Sequence, residues 1–142
     1  MIYLDHHATT PCDPRVVEAM LPFFGVRFGN PSGRTHALGK DAYEATELAR
    51  AAIARALGGE ARELTFTSGA TESANLALRG LVAAYPERPR RIVVSAFEHK
   101  AVLEGAQLPG MEVVKVAPDA RGFVSPEAVR QAIGDGALVV CV

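Results

Sequence analysis

The chain has 142 residues, 49% of them hydrophobic, which is enough for one sizeable core, so a single domain is the first expectation. Its 15 basic and 16 acidic side chains nearly cancel and form no basic block, which removes the electrostatic case for nucleic acid or an anionic membrane as partner. No apolar run reaches the roughly 18 residues that suggest a membrane span, and the start Met1-Ile2-Tyr3-Leu4-Asp5 lacks the basic residues and long apolar stretch of a secretory signal.

Ile2-Tyr3-Leu4 reads as a short strand, followed by a polar bend from Asp5 to Cys12. His6-His7 looks like a metal pair, but neighbours in an extended segment point apart. No Cys, His or carboxylate stands at ligand spacing beside them, so no metal is expected. Asp13-Pro14 reads as an N-cap followed by proline in the first helical position, opening a helix through Val16, Val17, Met20 and Leu21 to about Phe24. Residues 25–35, "GVRFGNPSGRT", form a loop. Leu38, Ala42, Ala45, Leu48, Ala49, Ala52, Ile53, Ala56 and Leu57 then follow helical spacing, and Gly58-Gly59 stops that helix.

Leu64-Thr65-Phe66 reads as a strand and Thr71 to Tyr85 as a helix. Arg91 to Ser95 is a second strand, His99 to Gln107 a short helix, and Met111 to Ala117 a third strand. Ser125-Pro126 opens a helix through Val129, Ala132 and Ile133, and Ala137 to Val142 begins another strand. Such alternation predicts an α/β fold, a mostly parallel sheet flanked by helices. Ligands of open α/β sheets sit beyond the carboxyl ends of the strands. The sequence stops where the next such loop would begin, so it is expected to be the front piece of a larger protein. Cys12 and Cys141 lie far apart with no CxxC pattern, which predicts neither a disulfide framework nor a thiolate zinc site; a reducing cytoplasm is the expected compartment.

Three stretches are suited to chemistry. In "TSGATES", Thr67 to Ser73, a strand turns straight into a helix. Either Ser68 or Thr71 caps that helix, or its first N–H groups and positive dipole end hold an anion, commonly phosphate. Neither GxxxxGK[ST] nor GxGxxG is present. In "SAFEHKAVL", Glu98, His99 and Lys100 should share a sheet edge with Ala70 and Thr71. His99 is either a solvated helix-start residue or a ring that stacks on a flat ligand, for roughly 0.5–1.5 kcal/mol, and moves protons. "FGNPSGRTHALG" sets polar Asn30 and Ser32 among glycines and is either a binding loop or a plain connection.

The stretches "YLDHHATTPCDPRV", "FGNPSGRTH", "FTSGATESANLAL" and "EHKAVL", in that order, resemble the cysteine desulfurases, pyridoxal-phosphate enzymes of fold type I in the class-V aminotransferase group. The likeness spans all 142 residues but only the front part of the family's length. "TSGATES" with "GNPSGRTH" is closer to the branch serving general iron–sulfur cluster assembly.

The resemblance implies that residues 15–142 are an incomplete cofactor-binding large domain. Residues 1–14, with Ala8-Thr9-Thr10, would pack near the small domain and active site. Ala70 and Thr71 would hold the phosphate of pyridoxal phosphate, and His99 would lie over its ring and assist proton transfer. Asn30 would line the entrance near substrate or partner subunit. The implied reaction takes sulfur from L-cysteine, leaves alanine, and passes an enzyme persulfide to an iron–sulfur scaffold protein, in a cytoplasmic homodimer. The family's Schiff-base lysine, its aspartate and glutamine at the ring, and its persulfide cysteine all follow the position of Val142. Lys40, Lys100, Lys115, Cys12 and Cys141 match none of them, so these 142 residues alone are expected to be inactive. Alternatives are a related class-V lyase or aminotransferase, such as a selenocysteine lyase, and a truncated non-catalytic chain.

Overall fold

A computed structural model describes residues 2–6 and 8–142; His7 of the His6-His7 pair lies outside the described residues. The chain divides into two compact units, Met1–Thr65 and Phe66–Val142.

In the first unit, the polar bend forms as expected: the N–H groups of Ala8 and Thr9 donate to the Asp5 carbonyl at 3.1 and 3.4 Å. Helix α1 spans Pro14–Met20, with Asp13 as N-cap accepting the Arg15 N–H at 2.9 Å. Pro14 costs nothing there, because a first-turn N–H has no intrahelical partner. The chain continues as a 3-10 helix over Leu21–Phe24. The following loop is tied to helix α2, Ala37–Ala56, by a two-pronged ion pair from Arg27 to Asp41 at 2.9 and 2.8 Å. The Arg34 guanidinium also lies over the Tyr43 ring, 4.0 Å from its centroid. His36 is the N-cap of α2, its Nδ1 accepting the Gly39 N–H at 3.2 Å. At the other end Gly58 takes φ +76°, and the Gly58 and Gly59 N–H groups donate to Arg55 and Ala54 carbonyls. That pairing is the Schellman closure that a Gly-Gly stop favours.

The second unit holds α3 (Ala70–Ala84), β1 (Arg91–Ser95), α4 (Lys100–Gly105), β2 (Glu112–Val116), α5 (Pro126–Ile133) and β3 (Val139–Cys141). The sheet order is β2-β1-β3 and every pairing is parallel, with Arg91 opposite Glu112 and Ile92 opposite Val139. The expected α/β class is therefore what the chain adopts. Ile92, Val93 and Val94 on central β1 are fully buried, as a strand covered on both faces should be. Leu78 from α3 and Ala106 and Leu108 after α4 complete the core around Ile92 and Val94. Gly105 lets α3 and α4 approach closely: a Cβ there would sit 3.3 Å from Leu78 Cδ1. Among the described residues no helix is long and apolar enough to cross a membrane.

Two expected strands are absent. Ile2–Leu4 and Leu64–Phe66 carry no strand pairing among the described residues. A strand exists through a regular ladder, so three extended residues that build none remain irregular. The Leu64 carbonyl instead accepts from Arg50 Nη1 at 2.6 Å. The helix expected over His99 to Gln107 is shorter, Lys100–Gly105, because His99 serves as its N-cap.

Candidate functional site: the start of helix α3

Helix α3 begins without a side-chain cap, one of the two readings the sequence left open. Its N-cap is Gly69, at φ +154° and ψ −179°, and no side chain caps the helix. That region of backbone space is nearly closed to residues with a Cβ. Neither Ser68 nor Thr71 caps the helix, which leaves the anion-site alternative. Both Ser68 donors, backbone N–H and Oγ, go to Glu72 Oε2 at 2.6 Å each. The Thr71 hydroxyl has no hydrogen-bond partner among the described residues, while its carbonyl accepts from Asn75 Nδ2 at 3.0 Å. The N–H groups of Ala70, Thr71 and Glu72 likewise find no acceptor among the described residues.

Three open N–H groups and a hydroxyl thus cluster at the positive end of a 15-residue helix. A Cβ built on Gly69 would meet nothing within 4 Å, so the space beside Gly69 is open. An all-donor cluster of this kind fits a phosphate group. The first-turn carboxylate, Glu72, is held ionised: the Ser68 hydroxyl and then the Ser68 N–H lower its pKa.

His99 lies at the carboxyl end of β1, as expected, and its exposed ring accepts the Ala101 N–H at Nδ1, 3.1 Å away. That bond assigns the proton of the neutral ring to Nε2. Ala70, by contrast, does not follow a sheet strand among the described residues, so the shared strand edge expected for the two is not formed. No hydrogen bond joins His99 to Ala70 or Thr71 among the described residues. Asn30 lies in the first unit, exposed, with Oδ1 accepting the Ser32 N–H at 2.9 Å and its carbonyl accepting the Gly33 N–H.

The remaining candidates lack a nucleophile's setting. Lys100 pairs with Glu104 at 3.5 Å on the surface of α4. Cys141 ends β3, where burial and then the Glu98 charge push its thiol pKa up and keep it protonated. No cluster of three or more metal-ligating side chains occurs among the described residues. Glu72, Thr67 and Ser73 escaped the sequence reading. A usable signal was there: an acid at the third helical position can reach back to backbone before the helix.

Against known proteins, the family described as "Aminotransferase class-V" matches residues 2–142. The cysteine desulfurase IscS of Rickettsia bellii (strain OSU 85-389) is 44% identical over 144 aligned positions, covering 99% of this chain and 35% of its own. A solved NifS-like protein matches with TM-score 0.84 at 37% identity, over 98% of this chain and 39% of that one. A structure titled SspA in complex with cysteine gives TM-score 0.81 at 35% identity, over 97% and 40%. The chain therefore spans about a third of the length of the relatives it matches.

Proposed function

The chain belongs to the class-V aminotransferase family, and from that premise we propose that it is the amino-terminal part of a pyridoxal-phosphate-dependent cysteine desulfurase. The observation that carries the proposal is the uncapped start of α3, in a chain that matches desulfurases from end to end. The cofactor reading gains support from the fit of that start to a phosphate group, the anionic end of pyridoxal phosphate. The substrate reading, L-cysteine, draws on the relative whose structure is titled as a cysteine complex.

In this reading the N–H groups of Ala70 and Thr71 and the Thr71 hydroxyl bind the phosphate through hydrogen bonds at the positive end of the helix dipole. His99 offers Nε2–H toward the ring, because its Nδ1 is engaged with Ala101. From Nε2–H the neutral ring can donate a hydrogen bond beside the substrate and so assist the proton transfers there. When bound, pyridoxal phosphate supplies the electron sink that makes cleavage at the amino acid's α-carbon feasible. Asn30 belongs to the substrate or partner-subunit entrance. Residues 15–142 form the front of the cofactor domain, and residues 1–14 lie near the small domain. A cytoplasmic homodimer that hands persulfide sulfur to a scaffold protein completes the proposal.

The test uses the full-length enzyme bearing this segment, loaded with pyridoxal phosphate and given L-cysteine and a reducing thiol. Alanine and sulfide should appear in equal amounts. Thr71→Ala should weaken cofactor binding by about 1.5–3 kcal/mol, the range for hydrogen bonds to charged groups. No cofactor absorbance and no sulfide would end the proposal. Release of selenide from selenocysteine, with none of sulfide from cysteine, would point to the related lyase instead.

A further inference from the structure

Gly69 is where the phosphate-facing turn is least determined by its own chemistry. Glycine has no rotamer and few steric limits, so a glycine hinge fans out the amides behind it unless its neighbours fix it. Both sides of this hinge are held. On one side, Glu72 Oε2 accepts from Ser68 N–H and Ser68 Oγ at 2.6 Å each, spanning the glycine from the first helical turn. On the other, the Gly69 carbonyl accepts from Thr67 Oγ1 at 3.2 Å and from the Ser73 N–H at 3.1 Å. Thr67 Oγ1 and Ser73 Oγ share a further bond of 2.6 Å. With Ser68 and the Gly69 carbonyl both tied, the N–H groups of Ala70 and Thr71 keep one direction.

The geometry points to Glu72 as a positioning residue for phosphate binding: its carboxylate clasps Ser68 across Gly69 and aims the Ala70 and Thr71 amides. The inference rests on the cofactor reading above. The clasp carries a Coulombic cost, since a carboxylate in the first turn repels a bound dianion. Its contribution through the helix dipole is a separate, weaker benefit that any first-turn acid would bring. The two explanations of Glu72, a merely tolerated charge or a clasp, therefore predict opposite signs when the carboxylate is removed.

The experiment compares pyridoxal phosphate with pyridoxal, the same ring lacking the phosphoryl group, by equilibrium titration of the full-length apoenzyme. Glu72→Ala should weaken pyridoxal phosphate about tenfold, the effect of losing one charge-assisted contact. Pyridoxal affinity should stay within about twofold, because the clasp acts only on the phosphate end. Ser68→Ala, which leaves the charge and the helix in place, should weaken pyridoxal phosphate by a smaller factor, since the Ser68 N–H bond survives. The double variant should be no weaker than Glu72→Ala alone, the signature of two groups sharing one contact. Equal or tighter binding of pyridoxal phosphate by Glu72→Ala overturns the clasp and leaves the cofactor reading intact. Equal loss of both ligands also overturns it, as a general folding defect. An unaltered enzyme with no preference for the phosphorylated ligand overturns both.

Discussion

His99 has two tasks that a single alanine substitution would confuse. Its Nδ1 holds the Ala101 N–H at the start of α4, a helix of six residues in which one satisfied amide matters. Its Nε2 is the atom left for a ligand. Asparagine is among the best N-caps and can present a carbonyl oxygen where Nδ1 stands, yet it has no ring and no proton to exchange near neutral pH. His99→Asn should keep the unfolding midpoint of the full-length enzyme while turnover collapses. His99→Ala should lose turnover and, in addition, about 0.5–2 kcal/mol of stability from the missing cap. A thermal melt and a desulfuration rate on each variant separate the tasks; recovery of turnover by Asn would reduce His99 to a cap. Here the sequence offered a solvated histidine or a working one. A cap that fixes the ring's tautomer was not in view, because His36 and His99 are unusual residues for that position.

At the scale of elements, two glycines of one region test different constraints. Gly58, with φ +76°, ends α2 in open space, so Gly58→Ala meets only the backbone penalty of about 1–2 kcal/mol. Gly39 sits in the first turn of α2, where a Cβ would stand 1.8 Å from the Gly33 carbonyl oxygen. Gly39→Ala must push the 25–36 loop off the helix and should destabilise by clearly more than Gly58→Ala. Urea unfolding followed by circular dichroism checks this, and equal midpoints would contradict the close contact.

Only the Gly58 stop was readable beforehand, because the φ demand of a helix end follows from position, whereas the Gly33–Gly39 approach is a tertiary fact. The same division runs through the fold. Helix α2 was legible from its apolar spacing over 20 residues. Strand β1 was legible from the run Ile92-Val93-Val94. Ile2–Leu4 and Leu64–Phe66 look like strands residue by residue, but a ladder decides the matter and neither stretch joins the sheet among the described residues. At the candidate site the sequence located the junction. It left open a hydroxyl cap or an anion site; the Ser68 hydroxyl in fact serves Glu72, four residues on.

For the molecule as a whole, the apolar material is unevenly used. In the second unit the three residues Ile92, Val93 and Val94 are 0% exposed, and each such side chain contributes about 1.5–3 kcal/mol by leaving water. In the first unit α1 buries nothing and α2 buries only Gly39, Ala42 and Ala54, whose side chains are small or absent. Phe24, Val26 and Phe28 remain 78%, 80% and 68% exposed. What holds α1 is its Asp13 cap and first-turn proline, local devices that resist fraying only weakly. The two units should therefore open at very different rates. In hydrogen exchange on the 142-residue chain, the amides of Val93 and Val94 should be the slowest, opening only with the sheet, while those of Val17 to Met20 exchange close to the rate of an unstructured peptide. Mass spectrometry after proteolysis resolves the two segments. Comparable protection in both would mean that α1 draws stability from apolar contacts its exposure does not account for.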